Sequence, residues 1–338
     1  MKIYTILGMI WAWFMCVAPT AWSSPLTSFQ GQTMGKTYSL KIADPVKDLD
    51  SLKKHVAETL EQVNNVASTY RQQSEISRFN RSRSTQWVGV SPLLASWVQS
   101  ALKVKEITSG SFDITAMKLV DLWGFGPQAV PRQIPDAVTL GAALRDLRKQ
   151  TLQVRLKPPA LKKSHEDMAI DLSGIAKGAG VDMLAQLLKE RGYRNFFVEI
   201  GGELRTEGKK QHNLPWRVAI ERPSSRNRGL QKILQLNTAA MATSGDYRNY
   251  FEQDGKRFAH IIDPSSGRPI THRLASVTVI ANTCELADAF ATAFMVIGVD
   301  RAMKIAQEQG LEALFIVRDR GQFKEIATAG FGNTGRTL

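Results

Sequence analysis

The sequence predicts an α+β protein built on a largely antiparallel sheet packed with helices. Strand-like runs follow one another between Trp216 and Ile280 with no helical pattern among them, as hairpin pairing allows and parallel crossovers do not. No G-x-G-x-x-G opens a helix after a strand, so the doubly wound dinucleotide fold has no support. The 338 residues are 43% hydrophobic, and no internal repeat or low-complexity linker divides them, which implies a single domain with a sizeable core.

The elements follow in order. Thr37–Ile42 reads as a strand, and Leu49, Leu52, Val56, Leu60 and Val63 recur at helical spacing. Ser91 before Pro92 reads as the N-cap and first residue of a helix reaching about Thr108. Gly124 to Pro135 carries three prolines and is expected as a surface loop. Thr151–Leu156, Phe196–Ile200, Trp216–Ile220, Ile233–Leu236, Phe258–Ile262, Val277–Ile280 and Leu314–Val317 read as strands. Further helices are expected over Gly178–Arg191, Glu285–Ile297 and Arg301–Gln309.

Ahead of this core stand Met1-Lys2, an apolar run from Ile3 to Ala18, and small residues at Ala21 and Ser23. That is the pattern of a secretory signal peptide over residues 1–23, leaving 24–338 as the exported domain. An uncleaved N-terminal anchor is the alternative. The bulky Trp13-Phe14-Met15 before Cys16 does not resemble a lipoprotein signal. Without the leader, Cys284 is the only cysteine, so no internal disulfide can form. The net charge of +13 suits anionic membrane surfaces or phosphate-bearing small molecules. Nucleic acid is not an expected partner of an exported chain, and no basic-aromatic stripe marks it as one.

The most informative stretch runs from Ile170 to Asp182. It reads as a buried strand ending in Asp171, a glycine-rich corner at Gly174, and Lys177 on the first turn of an amphipathic helix. Glycines let a backbone approach a phosphate, and a helix N-terminus with a lysine supplies positive potential. It is not a Walker loop, because Gly178 follows Lys177. Alone, the stretch fits a tight strand-to-helix corner equally well.

Asp288 and Thr292 stand one helical turn apart, so a carboxylate and a hydroxyl share a face. Both are oxygen ligands of the kind magnesium takes, though an Asp paired with a basic neighbour and a Thr bonded to its own helix would show the same spacing. Alanines flank the pair, so a carboxylate buried there should have a cationic partner. Of the five histidines, His260 lies on a strand-like run before an Asp263-Pro264 turn, as a satisfied core residue or a general base. No second histidine or cysteine pair at ligand spacing supports zinc.

Taken in order, Met34-Gly35-Lys36, Ser68 to Arg71, Ser74 to Asn80, Gly110-Ser111-Phe112-Asp113, Leu122 to Pro127, Asp171 to Gly178, Val198 to Glu203, Thr243 to Tyr247, His260 to Pro264 and Ala287 to Thr292 resemble the motifs of the ApbE family. The resemblance spans about residues 32–330. It implies an ApbE-like fold and an exported enzyme that uses magnesium to cleave FAD and attach FMN through a phosphoester to a threonine or serine of an acceptor protein, releasing AMP. By the same resemblance, Met34, Tyr70, Ser111, Phe112, Asp113, Asp171, Lys177 and Ile262 contact FAD. The metal ligands are the Gly174 carbonyl, Asp288 and Thr292, and His260 lies near the transfer chemistry. Tyr70, Met34 and Phe112 are suitable residue types for walls against flat rings. Lys36 stands where the family has threonine, and Gly174 occupies a variable position where only the backbone oxygen matters. An FAD pyrophosphatase using water as acceptor, or a non-catalytic flavin-binding protein, would need the same cradle. Association with the membrane surface is a further expectation.

Overall fold

The computed structural model describes residues 25–128, 130–224 and 229–332, so the leader expected over residues 1–23 lies outside the described residues. Among the described residues no helix is long and apolar enough to cross a membrane.

An eight-stranded sheet organises the chain, in the spatial order Thr27–Thr33, Lys36–Ile42, Phe196–Ile200, Glu203–Glu207, Ala239–Gly245, Leu274–Ala281, Glu312–Asp319 and Gln322–Ala327. Every neighbouring pair is antiparallel. Leu274–Ala281 is buried along its whole length because both faces of the sheet are covered there. Its Val277 and Val279 enter a core with Ala287, Ala291 and Phe294 of the Cys284–Ile297 helix. Ile280 joins a second core with Val218, Ile220, Leu234 and Leu236, from the hairpin of Trp216–Glu221 and Leu230–Leu236.

Local chemistry sets the helix ends near the site. Thr283 caps Cys284–Ile297 by accepting the Leu286 N–H at 3.3 Å, and the helix stops at Gly298, whose φ of 77° suits glycine. Ala176–Glu190 has no side-chain cap at Ile175, which leaves its first-turn N–H groups to other partners. The two helices cross where a Cβ on Gly178 would lie 2.2 Å from the Cys284 carbonyl oxygen. Only glycine permits that approach, and it sets Lys177 beside Asp288.

Helices Leu49–Ala67 and Pro92–Ile107 form as expected, the second with Ser91 accepting the Leu94 N–H. Two expectations need correction. Phe258–Ile262 is not one strand. Lys256–Ala259 pairs with Tyr250–Gln253, and the chain then changes partner, so that Ile262–Asp263 pairs with Arg268–Pro269 and His260 sits at the switch. Nor is Ile170–Asp171 a strand. The Asn80 side chain takes the place of a neighbouring strand, accepting the Ile170 N–H at 2.9 Å and donating to its carbonyl at 2.8 Å. The Asp171 N–H goes to the Ile114 carbonyl at 2.8 Å.

Candidate active site

The site forms where the start of one helix meets the middle of another. Lys177, second in Ala176–Glu190, places Nζ 3.6 Å from Asp288 Oδ2 and 3.6 Å from Glu203 Oε1. Asp288 is 1% exposed and also accepts the Gly178 N–H at 3.1 Å. The buried acid therefore has the cationic partner its surroundings demand. Burial pushes the Asp288 carboxyl up, and Lys177 works in the other direction. Burial likewise pushes Glu203 up to about 7, against the pull of Lys177. For Lys177, burial opposes the charge, but the Asp288 and Glu203 carboxylates outweigh it and hold the ammonium above its ordinary range. The result is an ammonium held charged at the start of a helix, between two carboxylates that fix its position.

Thr292 lies on the same side of its helix as Asp288. Its Oγ1 is 3.3 Å from Ser244 Oγ, and a Cβ on Gly174 would stand 3.4 Å from that same Oγ1. The corner, the carboxylate helix and a sheet strand thus meet at one point. The donors are hard oxygens, namely one carboxylate, hydroxyls and a main-chain carbonyl. Among the described residues no three His, Cys, Asp or Glu side chains form a cage of their own. A donor set with a single carboxylate fits magnesium, which commonly completes its shell with waters and substrate phosphates.

His260 Nδ1 lies 3.1 Å from the Asn249 carbonyl, and its ring meets the Phe125 ring edge-on at 6.3 Å. A carbonyl only accepts, which assigns the proton of the neutral ring to Nδ1 and leaves Nε2 as the basic nitrogen. Burial lowers the pKa of His260; the bond to Asn249 opposes this and the nearby Lys177 charge reinforces it. The neighbouring carboxylate Asp246 is held by Arg318 in two contacts of 2.8 Å and 2.5 Å. That leaves His260 the freer base.

The other expected contact residues surround this point unequally. Asp171 is gripped from its own loop, accepting the Ser173 N–H at 2.9 Å and the Ser173 hydroxyl at 2.8 Å. Burial raises its pKa, and burial first, with the Asp171 charge adding to it, raises those of Tyr70 and Asp121. Tyr70 is 73% exposed, a free aromatic face. Met34 packs toward Gly180 on the Lys177 helix. Ile262 lies in a strand against the Cys284–Ile297 helix and joins the cluster around Trp123. Asp113 is taken up by Lys105 at 2.8 Å and by the Thr115 N–H and hydroxyl, so it braces the Ser111–Asp113 turn. Phe112 is 4% exposed, with its ring against Gly174, and so fills the loop without offering a face for stacking.

Three residues enter the site that lie within the quoted motifs but carry no role from the sequence alone. Glu203 shares Lys177 with Asp288, and its Oε2 is buried without a hydrogen-bond partner among the described residues. The Gly201-Gly202-Glu203 run was its only signal in the sequence. Ser244 meets Thr292, and Asn80 holds the segment before Asp171.

Residues 34–315 match the model of the ApbE family. An "FAD:protein FMN transferase" of Vibrio cholerae is 44% identical over 305 residues, covering 89% of this chain and 90% of the relative. Its counterpart in Escherichia coli strain K12 is 37% identical over 305 residues, covering 89% and 87%. Among solved structures, the flavin transferase ApbE from Vibrio cholerae superimposes with a TM-score of 0.82 at 40% identity, over 91% of this chain and 99% of that one. The flavinyl transferase ApbE of Pseudomonas stutzeri, in apo form, gives 0.82 at 34% identity over 94% and 99%. With its antiparallel sheet, its collinear motifs and its carboxylate helix set against a glycine corner, the chain belongs to the ApbE family.

Proposed function

We propose that this chain is an FAD:protein FMN transferase that binds FAD across the corner at Gly174 to Lys177 and passes FMN to a threonine or serine hydroxyl of an acceptor protein. The observation that carries the reading is the meeting of Lys177, Asp288, Thr292 and Gly174 at one point. The names of the relatives at up to 44% identity give it the same direction.

In the reaction the acceptor hydroxyl oxygen attacks the FMN phosphorus, a new phosphoester forms, and the bond to the AMP phosphate oxygen breaks. The hydroxyl proton goes to Nε2 of His260, the nitrogen its bond to Asn249 leaves basic. Lys177 holds the diphosphate at the helix start, while Tyr70 offers a wall to one of the flat ring systems. Magnesium held by Asp288, Thr292 and the Gly174 carbonyl would neutralise charge gathering on the diphosphate as the bond to AMP breaks. Export to the periplasm, with the leader removed near Ser23, belongs to the same proposal and rests on the N-terminal pattern. So does contact with a membrane surface, for which the charge of +13 is suited.

The test is incubation with FAD, magnesium and a flavin-acceptor protein. Flavin fluorescence that stays on the denatured acceptor, with one AMP released per flavin attached, supports transfer. Free FMN without labelled acceptor makes the chain a pyrophosphatase instead, and uncleaved FAD makes it a flavin-binding protein. The mass of the secreted chain reads the leader.

A further inference from the structure

Lys163 is a lysine in the wrong place for stability. It ends the Pro159–Lys163 strand, is 0% exposed, and has no carboxylate partner among the described residues. Burial lowers its pKa, and the charges of Asp167 and Glu166 offset this only in part. Its ammonium donates to the Met168 carbonyl at 2.9 Å and the Asn80 carbonyl at 3.4 Å, over the Phe79 ring at 5.4 Å. An unpaired buried ammonium is costly, and such breaches of the burial rule gather at functional sites.

Both carbonyls belong to the support of Asp171. Asn80 is the residue whose side-chain amide clamps the Ile170 N–H and carbonyl, and Met168 begins the same stretch. Met168 to Asp171 has no strand ladder, so these contacts, with the Asp171 N–H to Ile114, stand in for one. Lys163 thus holds both the clamp and the stretch it clamps.

From this we infer that Lys163 is a positioning residue for substrate binding: by pinning Met168 and Asn80 it fixes where Asp171 projects beside Tyr70. This rests on the reading of the site as an FAD site. Lys163→Met keeps length and apolar bulk but loses the charge and its donors. Removal of an unpaired charge offsets the loss of two carbonyl partners, so the thermal midpoint should stay within a few degrees of wild type.

The experiment is a double-mutant cycle on FAD affinity by calorimetric titration, with wild type, Lys163→Met, Asp171→Asn and the double variant. Lys163→Met should weaken FAD binding about tenfold, and the double variant should bind no worse than Asp171→Asn alone. Unchanged affinity, or effects that add in the double variant, would overturn the inference. A crystal structure of Lys163→Met reads the positioning without ligand. A displaced Met168 to Asp171 stretch on an otherwise unchanged fold supports it, and a superimposable stretch refutes it. If wild type binds no FAD, the proposed function fails, while the crystal structure still decides the role of Lys163.

Discussion

Asp288 is committed before any ligand arrives. Its Oδ2 accepts from Gly178 and faces Lys177, so the acid is the counter-ion of that lysine and, on the proposed reading, a metal ligand as well. Asp288→Ala removes both, and turnover measured by AMP release should fall by about 10²–10³-fold or more with circular dichroism unchanged. Undiminished AMP release would remove Asp288 from the metal assignment. His260→Gln should keep FAD affinity in a binding titration and slow transfer by about 10²–10⁴-fold. Burial and Lys177 favour the neutral ring, so His260 stays a base down to a pH below the ordinary histidine range. Wild-type rates should therefore fall only on the acid side of that range, and the variant should lose that limb of its pH–rate profile. The same lowered pKa means that protonation opposes folding: stability is complete above the unfolded-state pKa and declines as pH drops below it.

At the scale of elements, the crossing of Ala176–Glu190 with Cys284–Ile297 decides whether the site exists. A Cβ on Gly178 would meet the Cys284 backbone at 2.2 Å, and a backbone cannot step aside as a side chain can. Gly178→Ala should cost about 1–3 kcal/mol in denaturant unfolding and separate Lys177 from Asp288, so activity should fall further than stability. Asp182 ties the same helices a turn later, accepting the Glu285 N–H at 2.9 Å and pairing with Arg205 at 2.8 Å. Asp182→Ala should lower stability by roughly 1–3 kcal/mol by the same measurement, because it leaves Arg205 unpaired at a partly covered position. The helices with strong apolar spacing and capping residues were legible in the sequence, as Ser91-Pro92 shows. Ala239–Gly245 was not, because Ala-Ala-Met-Ala-Thr-Ser-Gly has almost no β-branched content and is a strand by virtue of its neighbours on both sides. Ile170–Asp171 misled for the opposite reason. Its apolar alternation is real, with Ile170 and Leu172 buried, but the pairing partner is a side chain. In the site, the glycine corner and the Asp288–Thr292 spacing were visible locally. Glu203 and Ser244 lie in motifs that were visible, but they reach the site through sheet order, so their part in it was not.

For the whole molecule, binding and folding are one equilibrium. FAD held at about a hundred times its dissociation constant should raise stability by about 2.7 kcal/mol, read as an upward shift of the thermal midpoint. On the proposed reading, a chelator should remove part of that gain. A midpoint indifferent to FAD would mean that the folded chain does not take it up. The strand Leu274–Ala281 adds a use of its own. It is shielded on both faces, and from Ser276 to Ile280 its backbone pairs with neighbours at both edges, so solvent has no local route to the amide hydrogens of that span. In deuterated water those hydrogens should be the last to exchange, at a rate set by complete opening of the chain. That strand is thus a built-in clock: the lag it records reports the free energy of the entire fold, with no label attached and no enzyme assay needed.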